Sequence, residues 1–415
     1  MKKAGIPVAK KYDVIVIGSG SAMNIVEETL NHGLKVALVD KGPLGGTCPN
    51  LGCIPSKMLI FTADRITEIQ EAKKLGITAE IKEIDFTGIM ERMRQGVREG
   101  QAQMRQGISG AENLDFYEGE GHFIDSNTIE VDGISVRADK IFIGVGSRPA
   151  IPLLPGLENV KYLTNETVLG LKERPESTII IGGGYIGVEY GHFLAAMGTK
   201  VTILEMADRL VLAEEPEISE VLQKELAKRM TVRTGVRVIG VKNNTRGVTV
   251  TVSDFKAGKT QEFTAQHIML AVGRRSNADL LQIDKAGIEM DDRGFIKTNE
   301  YLETNRKHIF AIGDVNGKQM FTHVANMEAV TAAHNALHTP KIRIDYTAAP
   351  HAVYSHPQIA AVGMTQEAAA RTHKILVGRA KYLDVAQGQA MNEKEGFAKA
   401  IVEEGSGKIL GFHII

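Results

Sequence analysis

Tryptophan is absent from this 415-residue chain, aromatic residues make up only 5% of it, and cysteine occurs twice. Few aromatics beside 43 glycines fit an α/β protein rich in tight strand-to-helix turns better than a sandwich or a disordered tail. A charge excess is lacking too. With 49 basic against 50 acidic residues and no long basic run, there is no electrostatic footprint for nucleic acid or an acidic membrane surface. No apolar stretch approaches a membrane span, and the basic start MKKAGIPVAKK is not followed by an apolar signal region, so a soluble cytoplasmic protein is expected. Two sulfurs without a neighbouring His or Cys cluster cannot close a tetrahedral zinc shell, and no metal is expected. A structural disulfide is uncommon in the cytosol, which leaves a catalytic or redox-sensing pair.

The length allows two or three domains, each with its own core. Asp13-Val-Ile-Val-Ile17 reads as a fully buried parallel strand, followed by a glycine turn, a helix over residues 21–32 and a strand from Lys35 to Asp40. The pattern recurs: Thr178 to Ile181, the turn Gly182 to Gly187, a helical stretch through Met197, and a strand from Lys200 to Glu205. First glycine to closing acid is 22 residues in one copy and 23 in the other, the mark of an internal repeat. Ile141 to Arg148 and Ile268 to Arg275 echo each other as strands breaking into Gly-Arg loops. Residues 85–110 suggest helix broken by several glycines, and 122–137 and 236–264 alternate as hairpins do. From Thr347 onward, strands at Ala352 to Ser355, Phe397 to Val402 and Ile409 to Ile414 around a helix at Gln366 to Thr372 predict a smaller α+β domain.

A strand ending in G-x-G-x-x-G lets backbone approach a pyrophosphate while the following helix aims its positive N-terminus at the anion. Gly182, Gly184 and Gly187 supply the full pattern. The first copy has Gly18 and Gly20 but Met23 at the third position, which implies a slightly displaced helix without removing the two glycines nearest the phosphates. Asp40 and Glu205 stand where a carboxylate accepts hydrogen bonds from an adenosine ribose. Glu205 would repel a 2′-phosphate, so NAD is favoured over NADP, although Arg209 lies nearby.

Between these turns lies Gly45-Gly-Thr-Cys48-Pro-Asn-Leu-Gly-Cys53-Ile-Pro-Ser-Lys57. Five residues apart on a regular helix, the two cysteines would be separated by roughly 7.5 Å of axial rise, beyond a disulfide's span. The segment therefore cannot be plain helix. Pro49 and Gly52 supply the irregularity, and a helix starting near Cys53 would stabilise a thiolate.

This segment resembles that of the pyridine nucleotide-disulfide oxidoreductases of the glutathione reductase and dihydrolipoamide dehydrogenase type. The likeness extends through Gly18-Ser-Gly20, Gly182 to Gly187 with Glu189, Val201 to Glu205, Ile309 to Asp314, and Ala349 to Gly363, in the family's order. It implies two Rossmann-like domains and an interface domain: FAD-binding segments at 1–150 and 276–346, an NAD-binding domain at 151–275, and a C-terminal α+β dimer-interface domain at 347–415. By resemblance, Cys53 is the flavin-proximal sulfur, Cys48 the exchanging thiol, and Lys57 with Glu189 a buried pair beside the flavin. The resemblance further implies that Asp314 binds the FAD ribityl chain, with backbone at Thr322 and Gly121 also at the flavin cofactor, and that Gly273 and the backbone of Val236 contact NAD. The pattern is most similar to dihydrolipoamide dehydrogenase, which oxidises protein-bound dihydrolipoamide and reduces NAD as a homodimer.

Mycothione reductase is also similar around the first turn. Mercuric reductases carry a further cysteine pair near their C-terminus, whereas Cys48 and Cys53 are the only two here. The family's acid-base histidine lies in a C-terminal His-Pro-Thr-x-x-Glu segment that this sequence does not contain, and His356-Pro357 falls in an earlier strand-like stretch where a structural role is expected. The interface domain is therefore expected to be truncated, or the protein to lack the dimer-borne base. A lipoyl-bearing protein is the first expectation for a substrate. The alternatives are reduction of a low-molecular-weight disulfide of the mycothione or glutathione kind, and a flavoprotein redox sensor or scaffold without efficient turnover.

Overall fold

The computed structural model describes residues 9–255 and 258–415, so much of the basic opening stretch lies outside the described residues. The chain forms two compact units: Met1–Ile54, Gln95–Arg148 and Arg274–Tyr346 make one, and Pro55–Arg94, Pro149–Gly273 and Thr347–Ile415 the other.

In the first unit β1 (Lys10–Ile17) carries the unbroken apolar run. Val14 and Val16 enter one core cluster while Ile15 and Ile17 enter another, all four at most 2% exposed. Both faces are covered, which is why the run shows no alternation; each such burial stabilises by roughly 1.5–3 kcal/mol. Next come α1 (Met23–Asn31) and β2 (Val36–Asp40), which pairs parallel with β1. Leu114–Glu118 extends the parallel sheet beyond β2, and Ile134–Ile143 lies on the other side of β1 with Ile309–Ala311 against it. Gly121–Asp125, Thr128–Val131 and Ile134–Ile143 form the antiparallel run that alternation suggested.

The cysteine segment folds as α2 (Thr47–Leu51) and α3 (Cys53–Glu71), interrupted at Gly52, whose φ of −135° and ψ of −114° are far from helical. The next helix, α4 (Phe86–Ser109), departs from expectation by running unbroken for 24 residues. A glycine inside a helix costs about 1 kcal/mol relative to alanine. Burial outweighs that here: Met90, Met93 and Ile108 are inside, whereas Gly100 and Gly107 face open space.

The second unit repeats the strand-turn-helix-strand order with Ser177–Ile181, Tyr185–Ala196 and Lys200–Leu204. Its parallel sheet runs Thr231–Arg233, Lys200–Leu204, Ser177–Ile181, His267–Leu270, Tyr162–Leu163, and a separate antiparallel sheet joins Val236–Asn244, Gly247–Asp254 and Thr260–Ala265. From Pro350 the chain forms a five-stranded antiparallel sheet. Two of its strands escape the sequence pattern. Ile359–Gly363 is short and alanine-rich, and Ile375–Lys381 is an edge strand whose side chains are mostly exposed, leaving no apolar periodicity.

This unit also contains a cluster of charges around Asp64, which is 7% exposed. His192 Nε2 lies 2.9 Å from Asp64 Oδ1, and Arg229 donates to His192 Nδ1 at 3.1 Å. An arginine can only donate, so Nδ1 accepts and His192 is the neutral tautomer with its proton on Nε2. Burial likewise pushes the His192 pKa down. His356 stacks on His192 at 5.7 Å and pairs with Asp64 at 3.8 Å and Glu71 at 3.7 Å. Burial opposes its charge, but the two carboxylates prevail and raise its pKa. Burial also pushes Asp64 up, yet the imidazoles of His192 and His356 hold it at about 2. Glu71, drawn down chiefly by His356, also stands at about 2.

A folded-state pKa above the unfolded value means that His356 stabilises most below pH of about 6.5 and loses that contribution as pH rises through its raised pKa. The carboxylate contributions are present above about pH 4 and fade as pH falls towards 2. His356→Gln is therefore expected to lower Tm more at pH 6 than at pH 9, by about 2–4 °C per kcal/mol lost. Equal Tm differences at the two pH values would show that the imidazolium charge is not what stabilises the cluster.

Candidate active site

The first glycine turn leaves β1 at Gly18, whose φ of +101° suits glycine and where a Cβ would lie 2.4 Å from the Gly144 carbonyl oxygen. Asp40, ending β2, receives the amides of Ser19 at 2.6 Å and Gly42 at 2.8 Å. No side chain caps α1, and the amides of its first turn bond instead to the carbonyls of Gly20, Ser21 and Ala22. Met23 is partly buried against the core, and the close helix-to-sheet approach is made elsewhere: a Cβ on Gly144 would sit 2.7 Å from that of Ala22.

The sulfur segment packs onto this turn. Gly45 and Gly46 are both left-handed; Gly45 N donates to Ser19 Oγ at 2.9 Å, and a Cβ on Gly46 would lie 2.9 Å from Gly20 Cα. Asn50, 4% exposed, donates to the carbonyls of Leu44 and Gly46 at 2.8 Å and accepts from Gln101 at 2.7 Å. Beyond the Gly52 break, Cys53 is the first residue of α3. Both cysteines are free thiols, half-buried, and Cys53 Sγ lies 3.5 Å from Thr322 Oγ1. The hydrogen bond with Cys53, reinforced by burial, pushes the Cys48 thiol far up. Cys48 thus keeps its proton while Cys53 occupies the helix terminus that favours an anion.

In the same unit Asp314 sits in the turn Gly313–Asn316 and accepts from Ser147 Oγ, which in turn accepts from Arg274 Nε at 2.6 Å. The turn is braced by Glu328, wholly buried, which accepts from Gly313 N at 2.5 Å, Asn316 Nδ2 at 2.9 Å and Tyr346 OH at 2.5 Å. Burial raises the pKa of Glu328 against these donors. Thr322 opens the helix Thr322–Leu337, and Gly121 begins its strand with no room for a Cβ beside Val39.

The second unit holds the other glycine turn. Gly182 has φ of +110°, and a Cβ on Gly187 would lie 2.0 Å from the Gly182 carbonyl oxygen, so the helix must pass that close. Gly184 is the helix N-cap with open space beside it, and no side chain caps that helix. Both oxygens of Glu205 accept turn amides, from Gly183 at 2.5 Å and Ala207 at 2.6 Å. Val236 N donates to the Glu205 carbonyl at 3.0 Å, placing that backbone beside the acid, and Gly273, at φ of +113°, faces open space. Arg209 folds back to donate to the Leu212 carbonyl at 3.1 Å. Also in this unit, Lys57 Nζ pairs with Glu189 Oε2 at 2.8 Å and lies 4.5 Å from the centroid of the Tyr354 ring. The second Glu189 oxygen takes the Tyr354 amide at 2.9 Å, so this 5%-exposed carboxylate is fully engaged.

The first unit therefore gathers Gly18, Gly20, Asp40, Cys48, Cys53, Gly121, Asp314 and Thr322, and the second Lys57, Gly182, Gly184, Gly187, Glu189, Glu205, Val236 and Gly273. Cys53 and Lys57 are one turn apart on α3. Sequence reasoning missed Ser19, Asn50, Gly144 and Glu328. Only Glu328 left a signal, as the one acid in the helix Thr322–Leu337.

A family model described as pyridine nucleotide-disulphide oxidoreductase matches residues 12–329, and that family's dimerisation domain matches 349–415. A mercuric reductase of Staphylococcus aureus is 32% identical over 97% of this chain and 74% of its own length. A dihydrolipoyl dehydrogenase of Bacillus subtilis is 35% identical over 97% of this chain and 86% of its own. Among solved structures, the HOCl-induced flavoprotein disulfide reductase RclA from Escherichia coli superposes with a TM-score of 0.86 at 27% identity, covering 97% of this chain and 89% of that one. Among the described residues no helix is long and apolar enough to cross a membrane. With matches along both segments and glycine turns that fit two dinucleotides, the chain belongs to the pyridine nucleotide-disulphide oxidoreductases, α/β flavoproteins that bind FAD and use NAD(P).

Proposed function

We propose that this protein exchanges electrons between protein-bound dihydrolipoamide and NAD, acting as a homodimer through a Cys48–Cys53 disulfide. The observation that carries this reading is the pair of thiols hydrogen-bonded across the Gly52 break, with Cys53 opening α3. The dihydrolipoyl dehydrogenase relative supports lipoamide as the substrate and the dimerisation match supports the dimer. In this reading residues 1–150 and 276–346 bind FAD, 151–275 bind NAD, and 347–415 form the dimer interface.

FAD, when bound, supplies the two-electron carrier that links the sulfur pair to the nicotinamide. Gly18, Gly20 and Asp40 would hold its adenosine and pyrophosphate, Asp314 the ribityl chain, and the backbone of Gly121 and Thr322 the remainder. Lys57 would direct positive charge to the isoalloxazine, held by Glu189. Gly182, Gly184, Gly187, Glu205, Val236 and Gly273 would hold NAD.

With the pair oxidised, a substrate thiolate attacks Cys48, the Cys48–Cys53 bond breaks, and Cys53 leaves as a thiolate. The α3 N-terminus and the Thr322 hydroxyl make Cys53 the better leaving sulfur. The second substrate sulfur, losing its proton, then attacks the mixed disulfide, releasing Cys48 and an oxidised dithiolane. Two electrons and two protons have left the substrate. One proton resides on Cys48, whose raised pKa keeps it there, and the other passes to solvent or a base.

A second reading, reduction of a low-molecular-weight disulfide by NAD(P)H, is favoured by the solved relative named a flavoprotein disulfide reductase. Steady-state assays with lipoamide, mycothione and glutathione disulfides as alternative substrates separate the two.

Cys53→Ser is expected to reduce lipoamide turnover by roughly a thousandfold or more while retaining FAD, because the covalent route is lost. Normal turnover by that variant refutes the sulfur pair. In Cys53→Ala the main cause of the raised Cys48 pKa disappears, so alkylation of Cys48 by iodoacetamide at pH 8 should become faster, by about tenfold for each unit its pKa falls. An unchanged rate in the reduced protein would mean that Cys53 does not control the Cys48 proton. Glu205→Arg should shift the ratio of kcat/KM for NADH over NADPH by about tenfold or more towards NADPH; an unaltered ratio removes Glu205 from cofactor choice.

A further inference from the structure

At the opposite end of α1 from the glycine turn, Glu28 and His32 lie one helical turn apart, and His338, following Thr322–Leu337, comes to meet them. One ligand atom from each residue lies within 4.8 Å of the other two. Glu28 Oε1 is 3.7 Å from His32 Nδ1 and 3.9 Å from His338 Nε2, and the imidazole centroids are 4.9 Å apart. We propose that Glu28, His32 and His338 bind a divalent transition-metal ion of the imidazole-preferring class, such as Zn(II).

Three physical features support the site. His32 Nδ1 stands 2.8 Å from the Glu28 carbonyl oxygen, which can only accept, so Nδ1 carries the proton and Nε2 presents its lone pair. A backbone carbonyl that fixes the tautomer in this way is the usual companion of a metal-bound histidine. His32 and His338 are also the C-caps of their helices, so two helix C-termini direct partial negative charge at one point, which favours a cation. Tetrahedral zinc with bonds of roughly 2.0–2.1 Å places ligand atoms about 3.3 Å apart, so atoms within 4.8 Å of one another close on the ion by side-chain shifts of at most about 1.5 Å. All three side chains are between one-third and one-half exposed, leaving an entry path and room for water as a fourth ligand. His334, one turn before His338 with ring centroids 5.1 Å apart, faces the Pro340 carbonyl through Nε2 at 3.1 Å; since a carbonyl only accepts, Nε2 donates and Nδ1 is a second imidazole lone pair close by.

The test uses the full-length, FAD-loaded protein with Cys48 and Cys53 oxidised, so that thiolates do not compete for zinc. Calorimetric titration with zinc chloride is expected to show one tight equivalent per chain and a rise in Tm. His32→Ala with His338→Ala should weaken binding by roughly tenfold or more and abolish the Tm rise. Glu28→Gln, which preserves shape, should show weakened binding too, and it reports on the site should the double variant fold poorly. Wild-type protein that takes up no zinc, or Glu28→Gln and the double variant both binding as tightly as wild type, overturns the proposal.

Discussion

The interruption of helix at Gly52 is the constraint on which the chemistry depends. Continued as one helix, the segment would carry Cys48 and Cys53 apart along its axis; broken there, it lets their side chains hydrogen-bond. The same break gives Cys53 the first position of α3, so one backbone irregularity provides both proximity and an electrostatic difference between two otherwise similar sulfurs. Glycines at 45 and 46 bring the segment against Gly20, and buried Asn50 ties its carbonyls together. The sulfur loop and the first glycine turn are consequently a single packed piece.

Charge is handled at the turns of the two units by the same device: a carboxylate there is given donors that keep it in place. Asp40 and Glu205 hold the amides of the turns that they face, and Glu328 braces the turn carrying Asp314. Glu189 divides its two oxygens between Lys57 and the Tyr354 amide. Acids so tied are held in place in advance of any ligand, the condition for a preorganised site.

Local chemistry was the part of this fold that could be read from the chain. Asp13 to Ile17 and Thr178 to Ile181 announced buried strands because both their faces meet core, and positive φ at Gly18 and Gly182 follows from turns that admit little else. Pro49 and Gly52 likewise signalled that helix could not continue between the cysteines. What was not legible depended on partners distant in sequence. The glycines of α4 suggested breaks, but with Met90, Met93 and Ile108 buried it runs unbroken, and Ile375–Lys381 is a strand only because Phe397–Glu403 pairs with it. Ser19, Asn50 and Glu328 do their work through hydrogen bonds that no local spacing encodes. The charge cluster around Asp64 assembles from four separated stretches, so His356 could be judged only as an isolated residue.

The near collision of Ala22 with Gly144 has an evolutionary corollary. In the second repeat the tight clearance lies between Gly187 and the Gly182 carbonyl, whereas in the first Gly144 meets Ala22, one residue on each of two packed surfaces. Bulk added at 144 would demand bulk removed at 22, so drift at either site is conditional on its counterpart.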